Sequence, residues 1–131
     1  MGTKTREVRS DAAPRPVGPY SQAVVARGLV FASGQVPLDP ATNKLIPGEI
    51  EAQTDRVISN LRAVLEAAGS SLDRVVRTTV YLADLGLFSR MNEVYGRHFH
   101  ADPKPARSTI QAARLPLGAA IEIDAIATLI E

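Results

Sequence analysis

Between residues 50 and 82 the spacing of apolar side chains changes from three-and-four to two, and few folds accommodate that change. From Ile50 to Ala68 the residues Val57, Ile58, Leu61, Val64, Leu65 and Ala68 recur along one side, while Asp55, Arg56, Arg62 and Glu66 take the other. That spacing predicts an amphipathic helix laid against a core. Gly69 follows, and glycine closes helices because it enters the left-handed conformation without a steric penalty. Over Val75–Leu82 the pattern alternates, with Val76, Thr78, Val80 and Leu82 to one face and Val75, Arg77, Thr79 and Tyr81 to the other. A β-branched strand is expected there.

The remaining segments extend the pattern. Prolines at 14, 16 and 19 with Gly18 make residues 11–20 extended or turned. Residues 21–25 and 29–33 are short apolar stretches joined by Ala26-Arg27-Gly28, read as a three-residue hairpin connection with glycine in the left-handed position. Residues 37–48, rich in Pro, Asp, Asn and Gly, read as a surface loop. A second helix is expected over about 87–99, with Phe88, Met91, Asn92, Tyr95 and Phe99 on one face and Pro103 and Pro105 preventing its continuation. Strands over 107–113 and 119–130 complete the chain.

The order strand, strand, helix, strand, helix, strand, strand predicts an α+β fold with both helices packed on one face of a single sheet. In the last strand Ile121, Ile123, Ala125, Ala127 and Leu129 form one row, yet Ile126 and Ile130 make the opposite row partly apolar as well. Two helices cannot bury both rows. A subunit interface is the simplest cover, so an obligate oligomer is expected.

The chain has 131 residues, 45% of them hydrophobic, with a formal net charge of +1, which suits one domain over 1–131. Lys and Arg do not cluster, so electrostatic capture of nucleic acid or of an anionic membrane finds no support. The absence of cysteine excludes disulfides, thiolate metal ligation and a thiol nucleophile. Residues 1–6 lack the apolar core of a signal peptide, and no apolar run approaches the roughly 20 residues that span a bilayer. A soluble, cytoplasmic protein is expected.

Two residues suggest chemistry. Arg107 and Glu122 lie on what read as neighbouring strands. A guanidinium grips a carboxylate through two parallel hydrogen bonds and keeps its charge, while a glutamate can move protons. Taken alone, the two residues read more simply as an ordinary cross-strand ion pair.

Seven motifs then carry a resemblance: Gly18-Pro19-Tyr20-Ser21-Gln22-Ala23, Phe31-Ala32-Ser33-Gly34-Gln35, Ala67-Ala68-Gly69-Ser70-Ser71-Leu72, Thr78-Thr79-Val80-Tyr81-Leu82, Asn92-Glu93-Val94-Tyr95, Pro105-Ala106-Arg107-Ser108 and Ile121-Glu122-Ile123. In this order and spacing the chain, from about Val8 onward, resembles the RidA (YjgF) family of reactive-intermediate deaminases. The resemblance implies a chorismate-mutase-like fold with a single mixed sheet. It further implies a homotrimer with a central barrel-like core and clefts between subunits. Family members of the founding type hydrolyse enamines and imines such as 2-aminoacrylate and 2-iminopropionate to 2-keto acids and ammonia, with no metal or organic cofactor.

Carried over by motif, Arg107 becomes the grip on the substrate carboxylate and Glu122 the group that orients or deprotonates water. Asp124, two residues along, leaves open a merely acidic strand edge. Tyr20 becomes a cleft tyrosine, compatible with simply anchoring its turn. Ser33 offers a hydroxyl to the substrate or to the local backbone. Asn92, on the apolar side of its helix, reaches the substrate or ties helix to strand. Thr109 stands where many founding-type members carry cysteine, which bears on substrate preference. His98 and His100 lack further ligands for a metal and read as a solvated helix end, and no phosphate-binding glycine loop is present. The partner expected is a small 2-imino or 2-keto acid. Two other readings stand beside the deaminase: a regulatory trimer that binds 2-keto acids without turnover, and the endoribonuclease or translation-inhibitor activity reported for some relatives, which needs a cationic surface.

Overall fold

In a computed structural model that describes residues 4–130, the three-and-four row becomes α1, Ile50–Ala68. Val57, Ile58, Leu61, Val64 and Leu65 lose all solvent exposure, each burial worth about 1.5–3 kcal/mol. Gly69, at φ 90°, ends the helix. Its N–H bonds to the Glu66 carbonyl at 3.1 Å and the Ser70 N–H to the Leu65 carbonyl at 2.9 Å, the paired closure of a Schellman motif.

The strands are β1 (Arg6–Val8), β2 (Ala23–Ala26), β3 (Leu29–Gln35), a small outlying hairpin of β4 (Leu38–Asp39) and β5 (Lys44–Leu45), β6 (Val75–Leu82), β7 (Ala106–Gln111) and β8 (Ile121–Thr128). The second helix, α2, is Phe88–His98. Six strands form one mixed sheet in the order β1-β2-β3-β8-β6-β7. Among the described residues only β6 and β7 run parallel; the crossover that parallel neighbours require is supplied by α2.

Register divides the sheet into two faces. One lateral row runs Val8, Ala23, Ala32, Ala125, Thr78, Arg107. Its first five members are buried, and their small side chains let α1 approach closely. The same face receives α2, whose Tyr95 and Asn92 bond Thr78 and Arg107. Both helices therefore share one face, as expected. On the other face Phe31 is 43% and Ile110 47% exposed, and Val24 and Ile126 are half-buried.

Several local readings need correction. The β2–β3 turn has two residues, Arg27 at φ 52° and Gly28 at φ 76°, a type I′ geometry that matches strand twist. A register shift between Val75 and Arg77 puts Val75 in the core and leaves Val76 exposed, so Val76 departs from the face of Thr78, Val80 and Leu82. Residues 37–48 contain the β4–β5 hairpin, and β1 joins the sheet from a segment without apolar alternation. His98 is no loose helix end: its Nε2 lies 2.7 Å from Asp55 Oδ1 and its Nδ1 3.0 Å from Arg62 Nη2, tying α2 to α1. No described helix is long and apolar enough to cross a membrane.

Candidate active site

Arg107 sits on the edge strand β7, on the helix-covered face beside Thr78. Its Nη1 donates to Asn92 Oδ1 at 2.6 Å. The guanidinium carbon lies 4.7 Å from the centre of the Tyr95 ring and 5.5 Å from that of Phe88, within cation–π range of both. Phe88, Asn92 and Tyr95 fall at four-and-three spacing, so one stripe of α2 cradles the charge. Among the described residues no carboxylate pairs with Arg107. Asn92 is exposed rather than buried, and its amide oxygen accepts from the guanidinium instead of being shut into the core. Thr109, two residues further along the same face, has a buried hydroxyl with no hydrogen-bond partner.

Glu122 lies elsewhere. It stands on the uncovered face of β8 beside Tyr81 of β6, half-buried and directed over Gly34, where a β-carbon would collide with its carboxylate. A register shift between Ala32 and Gln35 places Gly34 in that position. The resulting cleft, of about 380 Å³, is lined by Val17, Tyr20, Ser33, Gly34, Val36, Pro116 and Glu122. Tyr20 is 54% exposed at its wall. The Ser33 hydroxyl donates to the Ser21 carbonyl at 2.7 Å, so its oxygen keeps accepting capacity for a ligand. Asp124 points to the same face and accepts a hydrogen bond from the Tyr81 hydroxyl at 3.2 Å. Burial, and secondarily the charge of Asp124, push the Glu122 carboxyl above the usual carboxylate range.

The expected residues thus form two groups. Tyr20, Ser33 and Glu122 share one cleft; Arg107, Asn92 and Thr109 belong to the opposite face. Arg107 and Glu122 are neither on neighbouring strands nor an ion pair, since β6 intervenes and the register turns them to opposite sides. Gly34, Phe88 and Tyr95 were missing from the sequence-derived set. An isolated glycine inside a strand signals a close approach, and the stripe containing Phe88 and Tyr95 was visible as a core face only. Among the described residues no cluster of His, Asp and Glu is arranged to hold a metal.

A sequence profile described as endoribonuclease L-PSP matches residues 10–129. Protein DfrA of Myxococcus xanthus is 53% identical over 124 residues, covering 93% of this chain and 94% of that protein. The chloroplastic Reactive Intermediate Deaminase A of Arabidopsis thaliana is 48% identical over 126 residues, covering 96% of this chain and 67% of the plant protein. The crystal structure of E. coli TdcF with bound serine superposes with a TM-score of 0.90 at 37% identity, covering 95% of this chain and 99% of TdcF.

Proposed function

From the premise that this chain belongs to the RidA family of reactive-intermediate deaminases, we propose that it hydrolyses 2-imino acids and their enamine tautomers, such as 2-iminopropionate and 2-aminoacrylate, to 2-keto acids and ammonia. We propose further that the working unit is a homotrimer with clefts between subunits. The observation that carries this reading is the separation of Arg107 and Glu122 on two faces of one sheet. A three-carbon acid cannot touch both within one chain. A neighbouring copy bringing its edge strand β7 over the Glu122 cleft unites them, and it also covers the apolar face that carries Phe31 and Ile126.

In that cleft Arg107 grips the carboxylate and fixes the C=N carbon for attack. Glu122, with its raised proton affinity, accepts a proton from the adding water and returns one to nitrogen. Water forms the new C–O bond and its first proton, passed through Glu122, makes the nitrogen an amino group; the hydroxyl proton then moves to nitrogen as C=O forms and the C–N bond breaks, and ammonia leaves. The serine in TdcF is a carboxylate of the same size, which supports a small amino-acid-derived ligand.

The test is ammonia and 2-keto acid release from freshly generated 2-iminopropionate, comparing wild type with Arg107→Ala while light scattering counts subunits. Acceleration by wild type, lost in an intact mutant trimer, is the expected result. Absence of acceleration with pyruvate binding retained would instead favour the ligand-binding reading.

A further inference from the structure

We propose that Tyr95 is a positioning residue for Arg107, its ring serving as the plate on which the guanidinium lies and its hydroxyl, bonded to Thr78, holding that plate in place. The inference rests on the carboxylate-gripping role of Arg107 stated above.

The contacts form one chain from core to edge strand. Thr78 is fully buried on β6, and its Oγ1 lies 2.7 Å from the Tyr95 hydroxyl in a buried hydrogen bond. The tyrosine ring packs against Phe99, with centroids 4.5 Å apart and planes at 31°. The Arg107 guanidinium lies over the same ring at 4.7 Å from its centre. Asn92, three residues before Tyr95, takes one N–H of that guanidinium at 2.6 Å, and Phe88 flanks it at 5.5 Å.

An arginine has five N–H donors in a plane. Asn92 accepts from one, and an aromatic ring attracts the charge through its face while leaving the edge donors free. The arrangement therefore fixes the plane and keeps donors for an incoming carboxylate. It also removes, before binding, much of the rotamer freedom that a long cationic side chain otherwise loses on binding. Burial pushes the Tyr95 phenol upward, against the pull of the Arg107 charge, so the ring acts as a neutral π face. Lysine has no plane to lay on such a plate.

Tyr95→Leu removes the plate, and Tyr95→Phe keeps it while releasing the bond to Thr78. For Tyr95→Leu we expect KM and the pyruvate Kd to rise about tenfold, with kcat changed less than about threefold. For Tyr95→Phe, which keeps the ring and loses its anchor to Thr78, both constants should rise about threefold. In an Arg107→Ala background, Tyr95→Leu should no longer alter pyruvate binding titrated at millimolar ligand. A folded Tyr95→Leu protein with wild-type Kd overturns the proposal, as does an equal effect with and without Arg107. A substrate-free readout separates this from the deaminase reading: the ring-current shift of the Arg107 Nε–H resonance, present in wild type and Tyr95→Phe and lost in Tyr95→Leu. A wild type that hydrolyses no imine overturns the deaminase alone; an Arg107 resonance unmoved by Tyr95→Leu overturns the plate.

Discussion

Arg107 and Glu122 project from opposite faces of one sheet, on strands separated by β6. If one substrate needs both, two copies must supply them. Arg107→Ala and Glu122→Gln chains, each inactive alone, should then regain activity when coexpressed. Random mixing of equal amounts leaves about a quarter of the clefts with both native residues. The check is imine hydrolysis by the copurified mixture; a mixture as inactive as its components would mean that each site lies within one chain.

The carboxylate of Glu122 occupies the space that a side chain at Gly34 would fill. The Gly34 backbone has no positive φ, so alanine fits the main chain and the flexible carboxylate must swing aside. Gly34→Ala should therefore reduce kcat by about a hundredfold, the usual cost of misplacing a catalytic group by an ångström, and change stability by less than about 1 kcal/mol. Turnover kinetics beside a denaturant titration separate the two effects; a variant with native turnover would show that the observed place of Glu122 is not its working one.

Elements governed by neighbours in sequence were legible in the chain, and those governed by distant pairing were not. The periodicity of α1 and its Gly69 closure follow from local spacing, and both match the expected limits. The face on which Arg107 stands depends on β7 pairing with β6 rather than β8, a choice made by the α2 crossover and invisible in the spacing of 107 and 122. The register shift after Val75 inverted the reading of Val76, because period-two reasoning assumes an unbroken ladder. Arg27 in a positive-φ turn position escaped notice because arginine rarely occupies it. At the site, motif resemblance singled out Tyr20, Ser33 and Glu122, which do share a cleft. Nothing local revealed that Arg107 and Asn92 lie on the far side of the sheet.

Leu61 lies at zero exposure in the middle of α1, where the row of alanines across the sheet brings helix and strands close. Leu61→Ala should cost about 2–5 kcal/mol through lost transfer energy and the cavity left behind. Urea unfolding followed by circular dichroism measures this as a lower midpoint with unchanged slope; a loss below 1 kcal/mol would mean that the helix collapses into the space.

Glu122 couples the cleft to pH. Its carboxyl is raised first by burial and then by Asp124, so between the ordinary glutamate value and the raised one the folded chain binds a proton that the unfolded chain does not. Stability from this group is accordingly largest at low pH and falls as pH rises through that window. Glu122→Gln should thus gain stability relative to wild type above the window, with the difference vanishing on acidification. Catalysis reads the same ionisation as an acidic limb in kcat/KM when Glu122 must be ionised to take a proton from water. Asp124→Asn removes only the smaller of the two causes, so that limb should move to lower pH without reaching the position of an exposed glutamate. The pH–rate profiles of wild type and Asp124→Asn, taken with thermal unfolding over the same range, decide it: an unmoved limb would assign the ionisation to another group, since Asp124 shares the uncovered face with Glu122 and the charge of one acts on the other.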